Sequence, residues 1–228
     1  MTLSAAELEI LTTSFAVAWR ALLWSLPFAI VAGLALSRPQ LRGRLVLDGL
    51  VHLPVILPPV LVGFLLLLIF GRRGPVGAAL AQVGIHLAFT LDGAALATAV
   101  MIFPLLVRSS RIAFESADSR LFEAAAVLRA GPLDRFVSVA LPLAAPGIVA
   151  GAVTAFAAAM GEFGAVITFA ANIPGQTQTL PLAIYAVLQQ PGGEGEALRL
   201  AAMSIAVAMT GLVSADLMLR WARRRFTE

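Results

Sequence analysis

Long, continuous apolar runs separated by short polar stretches dominate the chain. A helix that rises about 1.5 Å per residue crosses a hydrocarbon core of about 30 Å with roughly 20 apolar residues, and several runs reach that length. Apolar and polar positions do not alternate within the runs, as they would in membrane-crossing strands, so helices are favoured. Five spans are predicted, at about 13–36, 50–70, 88–107, 143–169 and 198–219.

Prolines and short segments modify this pattern. The second span begins with LPVILPPVLVG, and proline removes an amide donor and clashes with the preceding turn, so a kink or break is predicted near its inner part. Between the last two spans, LPLAIYAVL is too short to cross and predicts a short interfacial or re-entrant helix. The expected fold class is all-α, a polytopic membrane bundle forming a single transmembrane domain over residues 1–228.

Composition strengthens the membrane interpretation and excludes several chemistries. The mean hydropathy is +0.92, and 60% of the residues are hydrophobic. Cysteine is absent, which excludes disulfides, thiolate metal sites and thiol nucleophiles. Lysine is absent too, so the chain lacks the lysine of a Walker-type phosphate loop, and ATP would be bound by a partner. His52 and His86 are the only histidines of the chain, and neither a metal site nor a catalytic site is expected.

The arginines indicate the orientation in the membrane. They lie at the ends of apolar runs, which indicates topology rather than nucleic-acid binding. With five spans, twelve of the sixteen fall on one side, which is therefore predicted to be cytoplasmic. These twelve are Arg38, Arg42, Arg44, Arg108, Arg111, Arg120, Arg129, Arg135, Arg220, Arg223, Arg224 and Arg225.

This orientation predicts a multi-pass protein of the plasma (inner) membrane with its N-terminus outside and its C-terminus in the cytoplasm. Glu7 and Glu9 replace the basic region of a signal peptide, so the first span is expected to be uncleaved. A loop at about 108–142 would face the cytoplasm, and a loop at about 170–197 would face outside.

The cytoplasmic loop contains FEAAAVLRAGPLDRFVSVALP, residues 122–142. A helical segment from Glu123 is predicted to break at Gly131 and Pro132, after which a second helical segment leads into Leu141. Such a surface could dock a cytoplasmic partner, with small alanines allowing close approach and one carboxylate free for a charge contact. An amphipathic connector lying on the inner leaflet is the alternative.

This segment resembles the EAA loop in the membrane subunits of ABC importers. The matching positions are Glu123, Ala124, Ala125, Val139, Leu141 and Pro142. The family places its glycine six residues after the glutamate, where this chain has Arg129, and Gly131 comes two residues later. The resemblance implies the type I importer permease fold, with these residues, Arg129 and Gly131 included, docking two cytoplasmic ATP-binding subunits that hold ATP and magnesium.

Further stretches resemble the molybdate branch of that family. They are LVHLPVILPPVLVGFLLL, GRRG, GEFGAVITF, NIPGQTQTLP and QQPGGE, spread from residue 50 to residue 194. The resemblance implies a homodimeric permease within membrane lipid, supplied by an external oxyanion-binding protein. A permease for sulfate or another oxyanion, an ion-coupled secondary transporter and a structural membrane scaffold are the alternatives. Tungstate is nearly the same size as molybdate, and the permease sequence does not separate the two.

A pathway or gate is expected near the outer end of the fourth span, at Glu162, Phe163 and Gly164. A carboxylate repels a dianion, so Glu162 is not expected to bind the substrate. Our hypothesis is instead that Glu162 pairs with Arg20 or belongs to an outer gate. Hydroxyl and amide donors suit a passing anion better. The candidates are Thr168, Asn172, Thr177 and Thr179.

Small residues recur every four positions in the last two long spans, from Gly147 to Ala159 and from Ala202 to Ser214. Such stripes let helices approach closely in lipid, so packing is the favoured interpretation, with a path-lining role as the alternative. Arg72 and Arg73, at the outer end of the second span, could raise the local potential for anions or anchor the chain at the interface.

Overall fold

The computed structural model describes residues 4–117, 125, 127 and 129–226, and in the last helix it places no side chain at residue 212 or beyond residue 213. The described residues form helices joined by short loops. In chain order these helices are α1 (Ala5–Leu36), α2 (Arg44–Ile56), α3 (Pro59–Phe70), α4 (Pro75–Ala81), α5 (Leu91–Glu115), α6 (Pro132–Met160), α7 (Gly164–Ala170), α8 (Leu180–Leu188) and α9 (Glu194–Phe226).

Four of the five predicted spans are present by length and composition. Helices α1, α5 and α6 are each long and apolar enough to cross a membrane, and α2 and α3 together form a fourth candidate bent by 110°. The bend lies at Leu57 and Pro58, so the predicted break is confirmed. The fifth predicted span lies within α9, and the short helix predicted from LPLAIYAVL is α8.

The prediction of one continuous fourth span over 143–169 is wrong. Helix α6 ends at Met160, where the amide of Gly161 donates to the carbonyls of Ala158 and Ala159. Three residues, Gly161, Glu162 and Phe163, then separate it from α7, which begins at Gly164. Gly161 favours an interruption here, because glycine loses more backbone entropy in a helix than other residues do.

Close packing of α1, α5 and α6 forms the centre of the bundle. A Cβ added at Gly33 of α1 would lie 2.6 Å from the Cβ of Ser110, and one at Gly147 of α6 would lie 2.7 Å from that of Ala113. A Cβ at Gly151 would overlap the side chain of Ser109. The small residues of α6 therefore serve helix packing, as favoured from the sequence.

Ion pairs occur at both ends of the bundle. At one end, Arg44 lies 3.3 Å from Glu115, and Arg111 lies 3.5 Å from Asp48. These contacts join the start of α2 to the end of α5. The opposite end is held by Glu7, whose carboxylate lies 2.7 Å from Arg199 and so joins the first turn of α1 to α9.

Candidate functional site

The two interrupted helix pairs meet at a contact between α3 and α7. A Cβ added at Gly164 would lie 2.6 Å from the Cβ of Pro59, and one at Gly63 would lie 2.6 Å from the carbonyl oxygen of Ala165. Only residues without a side chain at these two positions permit this approach. The structure therefore places one helix break beside the other, with Pro59 following the first and Gly164 following the second.

Glu162 caps the start of α7. Its Oε1 accepts the amide of Ala165 at 3.0 Å, which satisfies one of the free donors of the first helical turn. The predicted pairing with Arg20 is wrong, since Arg20 Nη1 lies 2.6 Å from Asp92 Oδ1 at the start of α5. Asp92 lies near the start of the third predicted span, at about 88–107, and a carboxylate within an apolar run was the available sequence signal.

We predict that Glu162→Ala lowers the stability of the protein by about 1 kcal/mol, because the amide of Ala165 loses its acceptor. Glu162→Gln should have little effect, because the side-chain carbonyl can still accept that hydrogen bond. Thermal unfolding of the detergent-solubilised protein measures the difference. If glutamine destabilises as much as alanine does, the charge matters and the capping role is refuted.

The side chains of Phe163 and Thr168 make further interactions next to the contact between α3 and α7. The rings of Phe163 and Tyr185 have centroids 5.2 Å apart, which links the start of α7 to α8. The hydroxyl of Thr168 donates to the carbonyl of Gly164 at 2.9 Å, one turn earlier in the same helix. A Cβ at Gly63 would lie 2.8 Å from that of Thr168, so Thr168 lies directly against α3.

The other predicted donors hold the loop that follows α7. Thr177 is fully buried, and its hydroxyl accepts the amide of Ile173 and donates to the carbonyl of Ala171, both at 3.0 Å. Asn172 Nδ2 donates to the carbonyl of Leu182 at 3.3 Å. Asn172 Oδ1 and the hydroxyl of Thr179 are shielded from solvent and have no hydrogen-bond partner among the described residues.

Ala171 is the first residue of this loop and has an unfavourable backbone conformation, with φ +61° and ψ −173°. This region is populated almost only by glycine, and residues forced into it concentrate at functional sites. Nothing in the residue type of Ala171 indicated this conformation. The loop thus combines a strained backbone at Ala171 with two shielded polar atoms, Oδ1 of Asn172 and the hydroxyl oxygen of Thr179.

The predicted docking segment is described in part. Glu123 and Ala124 lie outside the described residues, and Ala125 is half-buried. The amide of Ala130 donates to the carbonyl of Ala125, and Arg129 has φ +58°. A six-to-one hydrogen bond closing over a left-handed residue is the Schellman motif that ends helices. Arg129 therefore adopts the conformation for which glycine is best suited, at the position where the related loops have glycine.

We predict that Arg129→Gly stabilises this turn by about 1 kcal/mol, because glycine adopts the left-handed conformation without the steric cost borne by other residues. Slower amide hydrogen exchange at Ala130 would measure the effect. Arg129→Ala is the control, because it removes the charge but keeps the steric cost. Equal effects of glycine and alanine would show that the charge, and not the backbone, limits the turn.

The second half of the segment contains an irregular turn. After Gly131, helix α6 begins with Pro132–Arg135 and passes through a π-helical turn at Phe136–Ala140. The amide of Leu141 donates to the carbonyl of Phe136, five residues earlier. Pro142 has no amide and would clash with the fourth carbonyl before it in a regular helix, which favours a wider turn here.

The remaining matched positions lie at this turn and share one short stretch of α6. Val139 and Leu141 are half-buried, and Pro142 is exposed. The structure thus brings Val139, Leu141 and Pro142 together and keeps them separate from the helix breaks around Glu162. Val127, which the family pattern does not include, is 83% exposed on the segment before Arg129.

Comparison with protein families identifies the chain. Residues 25–228 match the family described as "Binding-protein-dependent transport system inner membrane component". The chain belongs to this family. Such a component is a multi-pass permease of the inner membrane, as expected from the apolar helices.

Curated relatives of this permease cover nearly its whole length. It is 47% identical over 226 residues to "Molybdenum transport system permease protein ModB" of Escherichia coli (strain K12), covering 99% of both chains. It is 42% identical over 220 residues to the protein of the same name from Haemophilus influenzae, covering 96% of this chain and 94% of the relative.

Solved structures of ABC importers share the fold. The methionine transporter structure titled "Inward facing conformations of the MetNI methionine ABC transporter" matches with a TM-score of 0.74 at 15% identity, covering 96% of this permease and 99% of that chain. A bacterial alginate ABC transporter in complex with its periplasmic protein matches with a TM-score of 0.75 at 19% identity, covering 95% and 79%. The all-α importer permease fold is thereby confirmed.

Proposed function

We propose that this chain is the membrane-spanning permease subunit of an ATP-driven molybdate importer. The observation that carries the proposal is the 47% identity to the Escherichia coli molybdenum permease over 99% of both chains. Tungstate, an oxyanion of the same charge, is included in the proposed cargo class. The sulfate permease and ion-coupled transporter alternatives gain no support from these relatives.

Energy is supplied by partner chains in this proposal. The permease has no lysine and so no Walker-type phosphate loop of its own. Two ATP-binding subunits that hold ATP and magnesium dock from the cytoplasm on the loop at about 108–142. The half-buried Ala125 and the helix-ending turn at Arg129 support this role, because together they give that loop a defined surface.

The proposed permease is a homodimer, in which each copy contributes one domain spanning residues 1–228. Helix α3 exposes large apolar side chains, such as Phe64 at 47% and Leu68 at 53%, which lipid or the second copy would cover. The arginine-rich end is placed in the cytoplasm and the N-terminus outside. The loop at about 170–197 then faces the external oxyanion-binding protein.

We place the oxyanion pathway beside the contact of α3 and α7. Broken helices at membrane depth are tolerated where they border protein or an aqueous path, and their free backbone amides suit an anion. The hydroxyl of Thr179 has no partner among the described residues and can donate to an oxyanion without trapping it, and Asn172 lies on the same loop. Thr168, whose hydroxyl donates to Gly164, lies against α3 beside the path. Glu162, Phe163 and Gly164 form the gate, with Glu162 fixing the start of α7 rather than touching the substrate.

Transport in this proposal follows alternating access. ATP binding draws the two cytoplasmic loops together and opens the pathway to the loaded external protein, and hydrolysis returns it to the inward-facing state. The rigid packing of α5 against α6 carries the movement from the loop to the helix breaks, because the glycines of α6 leave no space for sliding.

Cellular molybdenum measured by mass spectrometry tests the cargo. A strain that lacks the permease is grown at nanomolar molybdate, with and without excess sulfate, and is complemented with the wild-type chain. Restored molybdenum that excess sulfate does not suppress supports the proposal. Normal molybdenum together with impaired sulfur uptake would reassign the cargo to sulfate.

A second arm of this experiment tests the energy source. The partner ATP-binding subunit carries a substitution of the lysine in its own phosphate loop, and the permease is unchanged. Loss of uptake is expected, because that lysine binds the nucleotide phosphates. Undiminished uptake would favour ion-coupled transport.

A further inference from the structure

A cavity of about 300 Å³ lies between the end of α1 and the start of α6. Its wall combines an apolar surface with two guanidinium groups. The lining residues are Leu34, Arg38, Pro132, Arg135, Phe136 and Ala140.

Positive charge in this cavity is not neutralised by the described residues. The Nε of Arg135 is shielded from solvent and has no hydrogen-bond partner there. Neither Arg38 nor Arg135 takes part in a salt bridge within the described part of the chain. The neighbouring Asp134 does not line the cavity, and its carboxylate accepts the hydroxyl of Ser138 at 2.8 Å.

Four other arginines of the bundle are paired with carboxylates, and the remaining arginines outside this cavity whose side chains are described are exposed, whereas Arg135 is half-buried. Arg20 pairs with Asp92, Arg44 and Arg111 pair with Glu115, and Arg199 pairs with Glu7. The half-buried guanidinium of Arg135 is costly without an acidic partner, since shielded charge is normally paired, and the exposed Arg38 lines the same cavity. An anion bound between them would remove that cost and satisfy the free Nε.

We propose that this cavity binds a phosphate-type oxyanion between Arg38 and Arg135. Guanidinium groups match the geometry of such anions through paired N–H donors. The oxyanion comes either from the headgroup of an anionic phospholipid or from free anions in solution. Exposed apolar side chains beside the cavity, Leu133 at 75% and Val137 at 53%, fit a lipid whose acyl chains lie along α6.

The position of the cavity gives the bound anion a specific role. Arg38 follows the last turn of α1, and Arg135 immediately precedes the π-helical turn of α6. An anion held by both therefore connects α1 to the segment between the cytoplasmic loop and the membrane span. This site is separate from the proposed cargo pathway and does not depend on which oxyanion is transported.

The test uses the full chain purified in detergent with whatever subunits co-purify. One arm measures binding of phosphatidylglycerol and of phosphatidylcholine by native mass spectrometry, and the other titrates inorganic phosphate calorimetrically. The variants are Arg38→Gln and Arg135→Gln, with Arg135→Lys as a variant that keeps the charge. Arg42→Gln is the matched control, because Arg42 is exposed near Arg38 and does not line the cavity.

We expect each glutamine variant to weaken binding about tenfold in at least one arm, because a charge-assisted contact is lost. Arg135→Lys should lose less, and Arg42→Gln should bind as the wild type does. Weakening confined to phosphatidylglycerol identifies a lipid headgroup, and weakening with phosphate identifies a free anion. Unchanged binding in both arms overturns the proposal. Release of an ATP-binding subunit by Arg135→Gln without any change in binding also overturns it, in favour of a protein contact.

Discussion

Replacing Gly151 with leucine is expected to prevent the permease from accumulating in a folded form. Even a single Cβ at this position overlaps the side chain of Ser109 on α5, and leucine adds three further carbons in the same space. Overpacking of a well-packed core costs about 1–3 kcal/mol and occasionally more, and leucine here adds four carbons to a site that does not accept one, against a typical folding free energy of about 5–15 kcal/mol. Membrane-fraction immunoblotting and size-exclusion profiles of the solubilised protein measure the loss.

Matched alanine variants separate this overlap from helix propensity. Gly151→Ala should destabilise, whereas Gly49→Ala in α2 should be neutral or stabilising by about 0.5–1 kcal/mol, because nothing lies within 4 Å of an added Cβ at Gly49. Adding Ser109→Gly to Gly151→Ala should restore stability, because it removes the Ser109 side chain that the new Cβ would overlap. Gly151→Ala unfolding no earlier than the wild type would contradict the close packing of α5 and α6.

The sequence predicted the framework of this fold because its signals are local. Apolar run length located α1, α5, α6 and α9, and the proline pair at Pro58 located the break between α2 and α3. The break after Met160 was missed because Gly161 and Glu162 interrupt an apolar stretch only briefly. A cap by Glu162 becomes visible only when its carboxylate is seen to accept the amide of Ala165.

Ion pairs between residues distant in sequence were harder to predict than the helices. Arg20 and Glu162 are both unusual within apolar segments, which made a pair attractive, yet Asp92 lies nearer to Arg20 in the folded chain. The backbone conformations of Arg129 and Ala171 were equally hidden, since both residue types normally avoid positive φ. Family resemblance gave a hint at Arg129 alone, because related loops have glycine there.

Val127→Asp is expected to release the ATP-binding subunits and to abolish uptake while the permease remains in the membrane. Val127 exposes 83% of its side chain on the segment proposed to dock these subunits. Burying a valine in an interface contributes about 1.5–3 kcal/mol, and an aspartate there adds an unpaired charge. Together these effects weaken docking by well over tenfold. Glu123→Arg should have the same result, because it reverses the carboxylate proposed for a charge contact.

Co-purification of the ATP-binding subunit and cellular molybdenum are measured together for these variants. Leu45→Asp is the control, because Leu45 is 85% exposed at the start of α2 and lies outside the loop at about 108–142 that is proposed to dock these subunits. The control should retain the subunit and most of the uptake, since adding a charge to an exposed position elsewhere leaves the docking contact intact. Full retention of the subunit by both Val127→Asp and Glu123→Arg would exclude the segment before Arg129 as the docking surface. The docking surface would then be the part of α6 around Val139, Leu141 and Pro142, at the start of the membrane span.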